Sequence, residues 1–260
     1  MEEAALIEFE NVRVIRGDKA ALDDFSLRIA PHEHVAILGP NGCGKSTLIK
    51  TITRECYPVA RENSRIMILG RERWNIFELR SRLGIVSNDL LAWSKADTPG
   101  REVVLSGFFS SQRVFRNHRV EPDQERRASA ALERLGVAHL SERPTEEMSS
   151  GEAQRILIAR ALVHDPKALV FDEPANSLDI LAQHELRRTM SQLARSGVAI
   201  VLVTHHVADI IPEIERVVLM RDGRVAGDGR KEDLLTAAQL SHLFGVAVEI
   251  ARKDGHYHLW

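Results

Sequence analysis

The sequence predicts an α/β fold, with a parallel sheet packed between helices, an antiparallel β region and an inserted helical lobe. Three observations carry this reading. Short runs of Val, Ile and Leu, HVAIL at 34–38, RLGIV at 82–86, ALVF at 168–171 and AIVLV at 199–203, are apolar on both faces, as strands covered on both sides are. KSTLIKTIT from Lys45, LAQHELRRTMSQLA after Ile180 and VADIIPEI after His206 read as helices, so strand and helix alternate. Finally, IEFENVRVI and FSLRIA alternate apolar and polar residues, as antiparallel strands with one solvated face do. RVVLMRDGRVAGDG adds a second strand pair around a turn at Asp222-Gly223.

The middle of the chain, residues 90–165, has a different texture. It lacks buried-strand runs, and PDQERRASAALERLGV and GEAQRILIARALVHDP are helical in period and end in Gly or Pro stop signals. It is read as a helical lobe inserted in one α/β domain spanning 1–260. Within it, QRVFRNHRVEP sets Arg113, Arg116 and Arg119 around His118. Such a charge run is first of all a solvated face; the sharper reading is contact with nucleic acid or lipid.

Composition excludes several classes. A chain of 260 residues with 44% hydrophobic residues buries a full core without staples. A formal net charge of -2 argues against a dedicated nucleic-acid binder. Two cysteines without C-x-x-C spacing suggest neither a disulfide framework nor a zinc site, and fit a reducing cytosol. The start, MEEAALIEFE, is acidic where a signal peptide is basic, and no run approaches the ~20 apolar residues needed to span a bilayer. Action at a membrane would then require a partner.

GPNGCGKST, comprising Gly39, Pro40, Asn41, Gly42, Cys43, Gly44, Lys45, Ser46 and Thr47, follows a predicted strand and opens a predicted helix. That context makes G-x-x-x-x-G-K-[ST] a phosphate loop. Glycines 39 and 44 let backbone N–H groups approach phosphate oxygens, Lys45 places a charge near the β- and γ-phosphates, and the Ser46 hydroxyl can ligate Mg²⁺. The fold is therefore expected to be that of a P-loop NTPase. A GTPase base reader is missing, since SKAD at 94–97 lacks the required Asn.

ALVFDEP delivers Asp172 and Glu173 at the C-terminal end of a buried strand, where ligands of open parallel sheets sit. Asp172 can hold Mg²⁺ through its water shell, and Glu173 can orient or deprotonate an attacking water. A strand ending in an acidic turn is the structural alternative. VTHH places His205 where it can contact the γ-phosphate; the alternative is a structural histidine. MSSGEAQR also has two readings: Ser149 and Glu152 form a capping box, or the same helix start is half of a nucleotide site.

Together, GPNGCGKST, MSSGEAQR, LVFDEP, NSLD and VTHH occur in the order and at about the spacing of the ATP-binding-cassette (ABC) ATPases, and the resemblance covers essentially the whole chain. It implies a RecA-like core, an antiparallel β subdomain, a helical subdomain and a head-to-tail homodimer with ATP sandwiched between subunits. It further implies that Asp172 is the Walker B acid, Glu173 the catalytic base and His205 the switch histidine. Asn88 takes the Q-loop position next to Mg²⁺, Ser149 and Gly151 belong to the signature, and Ser177 to Asp179 form the D-loop. Three departures stand out. Glu152 replaces the signature amide, Asn88 is one methylene shorter than the usual glutamine, and Arg16 stands where an aromatic side chain stacks on adenine. Cys43 lies inside the phosphate loop, so alkylation is expected to block ATP binding.

The leading expectation is the ATPase subunit of a transporter, bound to an integral-membrane permease on the cytoplasmic face of the membrane. GIVSNDL, EVVLSGFF and the tail LFGVAVEIARKDGHYHLW resemble importer ATPases of the iron-siderophore and molybdate-linked groups. The alternative is a soluble ABC ATPase acting on nucleic acid, ribosomes or regulation. Such proteins usually carry tandem cassettes or long insertions, which this chain lacks.

Overall fold

A computed structural model describes residues 4–87, 97–111 and 113–260. In chain order the strands are β1 (Ile7–Arg16), β2 (Lys19–Ile29), β3 (Val35–Leu38), β4 (Arg65–Ile68), β5 (Leu83–Ser87), β6 (Ala168–Asp172), β7 (Ala199–Thr204), β8 (Arg216–Arg221), β9 (Arg224–Arg230), β10 (Ile250–Lys253) and β11 (His256–Leu259). The α-helices are α1 (Lys45–Ile52), α2 (Ile76–Arg82), α3 (Gly100–Leu105), α4 (Pro122–Arg134), α5 (Ser150–Leu162), α6 (Ile180–Arg195), α7 (Lys231–Leu234) and α8 (Ala237–Phe244). The chain divides into two compact units, Met1–Ile76 with Ala199–Trp260, and Phe77–Val198.

In the first unit, β1 lies between β2 and β4 in an antiparallel sheet. The inward residues of β1 are Ile7, Phe9, Val12 and Val14, so the period of two changes phase once. The slip falls at Asn11, which takes a left-handed φ of 48° and donates its N–H to Ser26 Oγ at 2.9 Å. A bulge at this point keeps both halves of the strand facing the core. Phe9 then meets Phe25 edge-on, with ring centroids 5.8 Å apart.

β3 is buried along its whole length and runs parallel to both β7 and β8. β9 returns antiparallel along β8 through Asp222 and Gly223, whose φ values of 49° and 75° are those of a type I′ hairpin turn. Arg216 ties these layers, donating to Asp228 at 2.7 Å and to Glu33 at 3.0 Å. Those bonds hold its guanidinium well above the ordinary arginine range. The helix expected over VADIIPEI is not formed: only Val207–Asp209 makes a 3₁₀ turn. Pro212 is the reason, because it disfavours helical backbone at Ile211 and supplies no N–H to continue a ladder.

In the second unit β5 and β6 pair in parallel, from Leu83 opposite Ala168 to Ser87 opposite Asp172. A Cβ on Gly84 would stand 2.8 Å from the Ala161 carbonyl oxygen, which shows how closely α5 lies on β5. Between β5 and β6, helices α3, α4 and α5 pack on one another through Val103, Val104, Ala128, Leu132, Ile156 and Leu157. α4 begins with Pro122 in its first turn and a capping box between Glu121 and Gln124. Arg160 of α5 donates to Ser106 Oγ and to the Ser111 carbonyl, each at 3.0 Å, while desolvation pulls its guanidinium down to about 10.

The basic segment 113–119 is not a bare charge run. The Arg113 guanidinium lies over the Phe115 ring at 5.2 Å, His118 stacks on Phe109 at 4.2 Å, and Arg119 pairs with Glu121 at 3.2 Å.

Candidate functional site

In the first unit the phosphate-loop motif leaves the C-terminal end of β3. The Gly39 N–H donates to the Thr204 carbonyl at 3.3 Å, so the loop starts beside the end of β7. Gly42 and Gly44 turn the chain with φ of 80° and 110°, and Gly44 is the N-cap of α1. This loop is clamped from outside. A Cβ on Gly39 would lie 2.3 Å from the Met220 carbonyl oxygen, and one on Gly44 would lie 2.3 Å from that of Ala21. The motif glycines therefore answer to the protein's own backbone as well as to a ligand, which refines the expectation drawn from phosphate access alone.

Gly223 completes the clamp. Its N–H donates to the Cys43 carbonyl at 2.9 Å, and its own carbonyl accepts from the Asp23 N–H at 3.0 Å. The β8–β9 turn thus couples the phosphate loop to β2. Neither Ala21 nor Gly223 is signalled by the motif. Asp222-Gly223 was legible as a turn, but its partner in space was not.

Lys45 is 3% exposed, and its Nζ donates to the carbonyls of Gly39 and Pro40 at 2.9 and 3.0 Å. It spans the mouth of the loop in the manner of a cation held in register by the loop itself. Asn41 and Gly42 are exposed at the loop tip, Ser46 is exposed on the first turn of α1, and Thr47 beside it is half-buried. Cys43 is buried, and burial raises its thiol above the ordinary range. Left-handed glycines, a helix N-terminus and Lys45 form a donor set that fits a polyphosphate.

His205 follows β7. Thr204 Oγ1 donates to Asp209 Oδ2 at 2.8 Å and accepts from the His206 N–H at 3.0 Å, both Thr204 and Asp209 being buried. This small network shapes the turn that carries His205, whose ring lies 3.8 Å from that of His206. Arg16 is the last residue of β1, exposed, with Nη1 3.1 Å from Cys56 Sγ. Its guanidinium is thus steered by a neighbour that the sequence reading did not connect to it.

In the second unit β6 ends at Asp172, opposite Ser87 of β5. Asn88, the residue after Ser87, lies outside the described residues. Glu173 takes a left-handed φ of 47°, ending the strand in a turn. Asp179 caps α6, its Oδ1 accepting from the Ala182 N–H at 2.8 Å. Ser149 caps α5 through a two-way box: its Oγ accepts from the Glu152 N–H at 3.3 Å, and its N–H donates to Glu152 Oε2 at 2.8 Å. The backbone N–H of Ser149, more than any other group, lowers the Glu152 carboxyl below its ordinary range. Gly151, in the same turn, lies against Ala182.

The ABC transporter family model matches residues 22–176 of this chain. The chain belongs to the ABC transporter family. It is 32% identical over 252 residues to the uncharacterized ABC transporter ATP-binding protein YlmA of Bacillus subtilis (strain 168), covering 94% of this chain and 93% of that protein. It is also 32% identical to the hemin import ATP-binding protein HmuV of Hahella chejuensis, covering 90% of this chain and 91% of that protein. Among solved structures it is similar to cbiO1 of Clostridium perfringens, part of the ABC transporter complex cbiONQ. That similarity has a TM-score of 0.76 and 28% identity, over 92% of this chain and 94% of the other.

This ABC protein is the ATP-binding subunit of a transporter, of a family that hydrolyses ATP and works with separate membrane permeases. Among the described residues no helix is long and apolar enough to cross a membrane. Nothing in these relationships favours the nucleic-acid alternative.

Proposed function

We propose that the chain is the Mg²⁺-dependent ATPase of an importer, splitting ATP to ADP and phosphate between two head-to-tail copies on the cytoplasmic face of the membrane. The observation that carries this is the clamped phosphate loop, in which Gly39 and Gly44 admit no Cβ and Lys45 is held across the mouth. A loop so built pre-orders its N–H donors, so phosphate binding costs little reorganisation.

In this reading Lys45, with the backbone of residues 39–47, holds the phosphates. Ser46, Asp172 and Asn88 hold Mg²⁺, which when bound neutralises phosphate charge. Glu173 takes the proton of the attacking water, and His205 contacts the γ-phosphate. Arg16 supplies a planar cation for the adenine face. Ser149, Gly151 and Asp179 meet the nucleotide of the other copy. Support for the dimer comes from the start of α6, where Ile180 and Leu181, which precede the Ala182 that faces Gly151, remain 85% and 68% exposed. The whole chain is taken as one ATPase domain, with the helical segment between β5 and β6 as its permease-facing part. Resemblance to a hemin importer favours a haem or metal-chelate cargo.

The test is ATP binding and turnover by purified protein. Lys45→Ala is expected to lose both. Glu173→Gln is expected to keep ATP binding, lose turnover and accumulate as an ATP-bound dimer on size exclusion. Turnover by Glu173→Gln at the parental rate would overturn the base assignment. Purification from detergent-solubilised membranes is expected to bring a permease; recovery with soluble partners alone would overturn the importer reading.

A further inference from the structure

We infer that Asn176 is a positioning residue for the Glu173 carboxylate, holding Oε2 and so fixing the direction in which this base points. The inference rests on the proposed role of Glu173 as base and gives Asn176, the first residue of NSLD, a role that the motif comparison leaves unassigned.

The left-handed φ of Glu173 turns the chain off the end of β6, and the Asn176 N–H closes the turn on the Glu173 carbonyl at 3.2 Å. The same residue then reaches back with its side chain, Asn176 Nδ2 donating to Glu173 Oε2 at 2.6 Å. One residue thus grips Glu173 at its main chain and at its carboxylate. An ionised carboxylate only accepts hydrogen bonds, so the amide must present its nitrogen here.

The far end of the turn is anchored too. Leu178 N–H donates to the Ala175 carbonyl at 3.2 Å, Gln183 Nε2 to the Leu178 carbonyl at 3.0 Å, and Asp179 caps α6. Asn176 therefore reaches Glu173 from a braced loop.

The chemistry requires such a group. Glutamate has three rotatable side-chain bonds, and a base that wanders by an ångström loses rate steeply. A neutral donor fixes the carboxylate by a hydrogen bond that it can accept, whereas a second carboxylate has no donor to offer.

The test is steady-state ATPase activity of the full chain at a fixed pH, for Asn176→Ala, Asn176→Asp and Asn176→Gln, with Glu173→Gln and the double variant Glu173→Gln/Asn176→Ala alongside. Asn176→Ala is expected to lower kcat about 10- to 100-fold with KM for ATP little changed. Asn176→Asp, an isosteric change that removes the donor, should lose at least as much kcat, and Asn176→Gln should recover part of the rate. On the Glu173→Gln background Asn176→Ala should cost nothing more. Unchanged kcat in Asn176→Asp, a raised kcat in Asn176→Ala, or a loss expressed only in KM would each overturn the inference. Should Asn176→Ala fail to fold, Asn176→Asp alone decides. An active Glu173→Gln would instead sink the base assignment, a result that can be read independently of Asn176.

Discussion

A Cβ built on Gly151 would stand 2.9 Å from the Cβ of Ala182, so the first turns of α5 and α6 meet where only glycine fits. Gly151→Ala should therefore cost about 1–3 kcal/mol in urea unfolding. Ala182→Gly should recover part of that loss when the two changes are combined. Hydrolysis is expected to fall further than ATP binding does, because the signature turn is displaced while the phosphate loop is not. Equal loss of both would assign Gly151 to overall folding alone.

Glu152 makes the stability of α5 depend on pH. Its folded carboxyl is lowered by the Ser149 N–H, so the ionised form contributes fully above the ordinary glutamate range, near 4.5, and the contribution disappears as pH falls through the lowered folded value. Glu152→Gln keeps an acceptor but loses the charge at the helix N-terminus, worth about 0.3–1 kcal/mol. The difference in unfolding free energy between parent and variant should be flat from pH 8 to pH 5 and shrink below that. Ser149→Ala removes the other half of the box and should cost about 0.5–2 kcal/mol.

Thr204 serves two partners, giving its hydroxyl hydrogen to Asp209 and accepting from the His206 N–H. Thr204→Val strips both bonds at nearly constant volume and should destabilise by about 1–3 kcal/mol in thermal unfolding. It should also lower ATPase activity, since the turn carrying His205 loses its brace. Thr204→Ser restores the hydroxyl and should recover most of both.

Cys43 combines burial with a raised thiol pKa. On a Cys56→Ser background, reaction with a maleimide at pH 7 should be slow in the native protein and fast in denaturant, and its native rate should climb with pH as thiolate forms. Protein labelled at Cys43 should bind no ATP in a filter or fluorescence assay. Full binding after complete labelling would show that the loop opens around the adduct.

Much of this architecture was legible because it is encoded locally. The runs at 34–38, 82–86, 168–171 and 199–203 match strands β3, β5, β6 and β7 to within one residue at each end. The cap of α5 and the Asp222-Gly223 turn depend on neighbours within four residues, which a linear reading can weigh. VADIIPEI misled for the same local reason: its period is helical, but Pro212 outweighs period within one turn. The phase slip at Asn11 needed Ser26, from the opposite strand.

The candidate site divides along the same line. Lys45, Ser46, Asp172, Glu173 and His205 were readable because strand, turn and helix follow one another in sequence around them. Asn176 was not, although it stands only three residues from Glu173, because its role lies in the direction of one amide bond. Ala21, Gly223 and Ala182 were not readable either, since each acts by approaching a glycine from far along the chain.

By itself, then, the sequence determined the family, the order of strands and helices, and the residue types that face a phosphate, all of which follow from φ preferences, periodicity and short-range hydrogen bonds. Tertiary structure alone decided why Gly39, Gly44 and Gly151 admit no side chain. Backbone carbonyls of Met220 and Ala21 and the methyl of Ala182 occupy the space that a Cβ would need, and that exclusion exists only once distant segments are packed together.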